Sequence, residues 1–159
     1  MISAFDMVSI GIDPSSSHTV GPMRAAFRFS KLLQQKKVLD RVSHVKTEIF
    51  GSLAQNEISH GSCKAVLLGL AGFEPETIDP EIIDDFLLQV ETTQRLSLLG
   101  VHDSSFPRLN AITFHGPQTL PDHANAMELR AYNGEELLLS QIYYSVGGGF
   151  IVNKRKWNR

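Results

Sequence analysis

The stretch MELRAYNGEELLLSQIYYSV, residues Met127–Val146, decides the fold. Two runs of strand-like composition, Met127–Tyr132 and Glu136–Val146, flank Asn133-Gly134-Glu135. Asn-Gly between such runs is the strongest short-range hairpin signal a sequence carries. Downstream, Gly147-Gly148-Gly149 permits turns closed to other residues before Phe150-Ile151-Val152. Upstream, Leu109–His115 reads as a further strand, ended by Gly116-Pro117. The last third is therefore an antiparallel meander.

The earlier part reads as helices around one strand. From Pro22 to Gln35, Met23, Ala26, Phe27 and Leu33 follow helical spacing, with Lys31, Gln34 and Lys36 opposite. His44–Leu53 contains Val45, Thr47, Ile49 and Phe50, a strand closed by Gly51-Ser52. Ser59-His60-Gly61-Ser62-Cys63-Lys64 leads into Ala65–Ala71, a helix apolar nearly all round and so buried, with Gly72 as its stop. A third helix begins at Asp79-Pro80, where Ile83, Phe86, Leu87 and Val90 form an apolar stripe. Helices first and a meander last predict an α+β two-layer sandwich, helices packed on a mainly antiparallel sheet, rather than alternating βαβ units.

At 159 residues, with 42% hydrophobic and 20% charged residues, the chain has the composition of one globular domain. A net charge of -2 gives no electrostatic case for nucleic acid. The one cysteine, Cys63, permits no intrachain disulfide and fits a reducing compartment. No apolar run is long enough to span a membrane, and Met1–Met7 lacks the basic region of a signal peptide. A cytoplasmic protein is expected. We divide the chain into a domain over residues 1–153 and a basic tail over 154–159, read as a solvated tail or the start of a linker.

The chemistry is concentrated in Asp13–Met23: Asp-Pro-Ser-Ser-Ser-His-Thr-Val-Gly-Pro-Met. Ser15, Ser16, Ser17 and Thr19 surround His18 at the mouth of a helix. Unpaired N–H groups and the macrodipole favour an anion there, and a histidine beside it can exchange protons near neutral pH. A helix cap needs only one such hydroxyl. His60 sits in a similar setting, Ser-His-Gly-Ser, although a surface turn histidine is the competing reading. His44, His102, His115 and His123 have no such setting and read mostly as exposed. No spacing suits a metal, and Cys63 reads as structural.

These residues carry a resemblance. Ser9–Met23, Gly51-Ser52-Leu53, His60-Gly61, Ala65–Leu70, Phe106-Pro107, Tyr132-Asn133-Gly134 and Tyr143–Phe150 occur in order. Together they resemble the β domain of the bacterial iron–sulfur L-serine dehydratases, over essentially the whole chain. Two positions depart: Asp13 stands where that family usually has glycine, and Cys63 where it has aspartate. The resemblance implies conversion of L-serine to pyruvate and ammonia. It also implies a separate cluster-binding catalytic domain, on the same polypeptide or another subunit, whose cysteines hold a [4Fe-4S] cluster. In that frame Ser15, Ser16, Ser17 and Thr19 bind the substrate carboxylate, and His18 and His60 are the acid/base pair. This chain alone would be inactive. The resemblance extends to the allosteric substrate-binding domain of D-3-phosphoglycerate dehydrogenases. Two other readings stand beside it: a regulatory domain that binds a small carboxylate without taking part in chemistry, and a pure assembly module. An edge strand of the meander offers a route to a homodimer.

Overall fold

The computed structural model describes residues 19–51, 56–107, 111–115, 126–146 and 150–153; of residues 56–60, 145–146 and 150–153 it describes the backbone. Asp13, Ser15, Ser16, Ser17, His18, His123, Gly147–Gly149 and the basic tail lie outside these residues.

Helix α1, Val20–Gln35, opens behind Thr19 with Pro22 in its first turn, where a missing N–H costs nothing. It buries Met23, Ala25, Ala26, Phe29 and Leu33. Phe29, not Phe27, is the core aromatic; Phe27 is half-buried, with Lys31 Nζ 6.0 Å from its ring centre. The helix ends in a left-handed residue, Lys37 (φ 62°), while the Val38 N–H donates to the Leu33 carbonyl at 3.1 Å. A 3-10 turn at Leu39–Arg41 leads into β1, His44–Phe50.

Helix α2, Asn56–Leu70, is buried throughout Ala65–Leu70 and stops at Gly72 (φ 101°). Asp79 then caps a 3-10 turn at Pro80–Ile82, accepting from the Glu81 N–H at 2.9 Å, and α3 follows over Ile83–Thr93. The stripe reads as expected: Ile83 and Val90 are buried, and Phe86 and Leu87 pack against the same core.

Among the described residues seven strands form one sheet: β1, β2 (Arg95–Leu98), β3 (His102–Ser105), β4 (Ile112–Phe114), β5 (Ala126–Asn133), β6 (Glu136–Val146) and β7 (Phe150–Asn153). The order is β2-β3-β1-β5-β6-β7, with β4 pairing the same edge of β1 as β3. β1 runs parallel to β3 and β4 and antiparallel to β5; every other pairing is antiparallel. The hairpin turn is at the expected place, with Asn133 opposite Glu136 and Gly134 (φ 62°) opening a two-residue loop.

Alternation on β1 turns Val45, Thr47 and Ile49 to the buried side. Val45 and Ile49 join Leu129 and Ala131 from β5, Phe29 and Leu33 from α1, and Val66 and Leu70 from α2 in the main core. The architecture is α+β, with three α-helices among the described residues against a mostly antiparallel open sheet.

Candidate active site

Thr19 is the one carboxylate-binding candidate within view. It is the N-cap of α1 and 5% exposed, and its carbonyl accepts the Met23 N–H at 3.0 Å. Gly21, Pro22 and Met23 are buried with it, so this helix start faces the interior of the domain.

His60 is not in a loop ahead of its helix, as the sequence suggested. Its backbone lies in the second turn of α2, which begins at Asn56. Gly61 and Ser62 resemble turn formers but are both buried, so their small size serves close packing within a continuous helix.

The start of α1 is brought onto the end of α2. Gly69 is a point of close approach: a Cβ there would lie 2.8 Å from Ala26 Cβ, 3.0 Å from Phe27 N, and inside the contact distance of the Met23 carbonyl oxygen. Met23 shares an apolar cluster with Ala65 and Leu68, while Ser30, two turns further along α1, donates through Oγ to the Leu70 carbonyl at 2.9 Å. Advancing along α1 thus advances along α2. The helices run in the same sense, in keeping with the single strand β1 that returns the chain between them. The two N-termini point the same way but are staggered, because the start of α1 packs on the end of α2, at Gly69.

On its other side α2 borders a cavity of about 290 Å³. Cys63, Lys64 and Leu67 line it from α2, Leu87, Val90 and Glu91 from α3, and Phe106 from the segment after β3. Burial pushes the Cys63 thiol above the usual range, an effect the neighbouring Lys64 ammonium partly offsets. The sequence marked Cys63 only as structural and did not mark Lys64, because neither shows its setting until α2 and α3 are packed. Among the described residues no three His, Cys, Asp or Glu side chains are grouped to hold a metal ion. No helix among them is long and apolar enough to cross a membrane.

The remaining described histidines are not surface residues, as the sequence had suggested. All three are half-buried. His102 Nε2 is 2.7 Å from the Val42 carbonyl oxygen, and the His44 ring stacks on Tyr132 at 5.1 Å. His115 stacks on Phe50 at 4.4 Å and lies 2.7 Å from Glu48 Oε1. Arg130 then bridges Glu48 (2.6 Å) and Glu128 (2.7 Å), and Ser140 donates to Glu128 at 3.1 Å. This network knits β1, β5 and β6 together on the sheet face away from the main core, a structural use the sequence could not show before strand register was known.

The chain matches the family model described as serine dehydratase beta chain over residues 3–156. It is 49% identical over 154 residues to an L-serine dehydratase of Streptomyces coelicolor, covering 96% of this chain and 34% of that protein. It is 46% identical over 160 residues to L-serine dehydratase 1 of Escherichia coli, covering 100% of this chain and 35% of that protein. An L-serine dehydratase of Helicobacter pylori is 37% identical over 155 residues, covering 97% of this chain and 33% of its own. The chain thus spans about a third of the length of these relatives. A match over nearly every residue, joined to the α+β fold, places this chain in the serine dehydratase beta chain family.

Proposed function

We propose that this chain is the part of an L-serine dehydratase that anchors the substrate carboxylate and moves protons beside it. The observation that carries the reading is the family match over residues 3–156 to proteins named for that activity. The buried start of α1 at Thr19 supports it, because a water-poor helix start favours a bound anion.

L-serine loses its α-proton and β-hydroxyl to give aminoacrylate, which hydrolyses to pyruvate and ammonia. For the α-proton to meet a base, the carboxylate must be held still. We assign that grip to Ser15, Ser16, Ser17 and Thr19 with the free N–H groups of the α1 start, which a buried setting strengthens by excluding water. His18 and His60 serve as the base at the α-carbon and the acid toward the departing hydroxyl. The order of the two roles is left to experiment.

A [4Fe-4S] cluster does not fit this chain's own donors: it has one thiol, Cys63, where such clusters take several. We therefore place the cluster on a separate catalytic part, on the same polypeptide or a partner subunit, where it would supply Lewis-acid activation of the hydroxyl. The contribution derived for the present chain is binding and proton transfer.

The test uses the enzyme assembled with its cluster-binding part. His18→Ala and His60→Ala should each lower turnover by about 10²-fold or more. Exchange of the α-proton is followed beside pyruvate release. A variant that loses both has lost the base; one that still exchanges but releases no pyruvate has lost the acid. Near-normal turnover in both variants refutes the catalytic role and leaves carboxylate sensing as the function of these loops.

A further inference from the structure

The first turn of α1 has few backbone donors to offer, and one residue of α2 sets where they lie. Pro22 has no N–H, and the Met23 N–H is taken by the Thr19 carbonyl at 3.0 Å. The Thr19 side chain makes no capping hydrogen bond to this turn. The backbone donors that the turn can direct at an anion are therefore the N–H groups of Val20 and Gly21.

Met23 ties that turn to α2 twice. Its side chain shares a cluster with Ala65 and Leu68, and its carbonyl oxygen lies against Gly69, inside the contact distance of a Cβ built there. Ala26 Cβ and Phe27 N complete the contact, at 2.8 and 3.0 Å from the same point. Met23 and Ala26 are fully buried, so the turn cannot shift without opening this seam. Glycine inside a helix is less favourable than alanine, and what it gains at this position is the close approach.

We infer that Gly69 is a positioning residue for the dehydratase reaction: by letting the Met23 peptide rest on α2, it fixes the Val20 and Gly21 N–H groups where the carboxylate of L-serine is held. The inference rests on the carboxylate grip proposed above. Gly69 acts through Met23 and Thr19 and does not itself reach the substrate. A grip made in the ground state and the transition state alike is read in KM, whereas lost folding lowers the active fraction and leaves KM alone.

The test compares variants of the enzyme assembled with its cluster-binding part, at a temperature where circular dichroism shows each folded. Gly69→Ala should raise KM for L-serine about tenfold and leave kcat per folded enzyme within about threefold. Ala26→Val crowds the same seam from α1 and should raise KM likewise; it decides the question if Gly69→Ala gives no folded enzyme. Gly72→Ala is the control for lost stability. It strains the stop of α2 (φ 101°) and crowds Leu99 Cα at 3.1 Å, on the β2–β3 hairpin, and should leave KM unchanged. An unchanged KM in the seam variants overturns the proposal, as does a Gly72→Ala protein whose KM rises as much as theirs. Thr19→Val separates the inference from the reading beneath it. A raised KM in Thr19→Val beside a normal KM in the seam variants refutes the positioning role alone. A normal KM in all three refutes the carboxylate grip as well.

Discussion

Replacing Gly69 by alanine tests the packing of the start of α1 against the end of α2. In an isolated helix this change is favourable by about 1 kcal/mol. Here the new methyl would lie 2.8 Å from Ala26 Cβ and 3.0 Å from Phe27 N, and closer still to the Met23 carbonyl oxygen. Two of these three neighbours are backbone atoms, so no rotamer change relieves the overlap. The helices must separate instead, and a gap of about 0.5–1 Å already forfeits a quarter to a half of the dispersion energy of each contact at the seam. Overpacking of this kind costs about 3 kcal/mol at the upper end of its usual range. Subtracting the propensity gain leaves a net loss of about 2 kcal/mol. For a domain of this size that corresponds to a fall in Tm of about 4–8 °C. Thermal and urea unfolding followed by circular dichroism measure it, with an unchanged denaturant slope showing that the fold persists. Gly134→Ala is the control: nothing lies within 4 Å of a Cβ there, and the cost is backbone strain at φ 62° alone, about 1 kcal/mol. A Gly69→Ala protein that melts at or above the parent temperature would refute the close approach of α1 and α2.

Lys37→Gly and Gln94→Gly should each stabilise by about 0.5–1 kcal/mol, because both residues end helices in the left-handed region (φ 62° and 54°); urea midpoints check this. The His44 imidazole titrates below its ordinary 6.5, chiefly because burial disfavours the charged ring and secondarily because Lys46 repels it. The unfolded chain therefore binds the proton first, so this group's stabilising contribution is full above pH 6.5 and declines as pH falls below it. His44→Phe should flatten that part of the stability profile, and an NMR titration of the ring should show the lowered midpoint. Arg130→Met removes the guanidinium between Glu48 and Glu128, which sit directly opposite in register. It should cost about 1–3 kcal/mol, and a second change, Glu128→Gln, should restore part of the loss.

Much of this architecture is legible before any coordinates. Helical periodicity in α1 and α3, alternation in β1 and the Asn133-Gly134 turn all stand out because local and tertiary demands coincide there. The β2–β3 hairpin escapes notice because its second strand, His102–Ser105, has no large apolar residue and is held by ladder bonds and the buried Ser104 hydroxyl on the Leu96 carbonyl at 2.7 Å. The start of α2 is misread for the opposite reason: Ser59-His60-Gly61-Ser62 has loop composition, and burial of Gly61 and Ser62 against neighbouring elements overrides it. The candidate site is legible as chemistry in Ser15–Thr19 and His60. The Lys64 cavity is not, because its walls come from three segments far apart in sequence.

The placement of β1 also dictates the order in which the molecule can assemble. This strand has finished by residue 50, yet its neighbours are His44↔Ser105, Thr47↔Ile112 and Val45↔Ala131, at least 61 residues downstream. Neither edge of β1 can be satisfied while the chain is half made. The tight β5–β6 hairpin is local by comparison, and low sequence separation favours its forming early. Completion waits on one long-range event, when the hairpin closes on β1 through seven consecutive residue pairs, His44↔Tyr132 to Phe50↔Ala126. Until then Val45, Thr47 and Ile49 line an open strand, which makes the final third of the chain the natural guardian of its middle against misassembly.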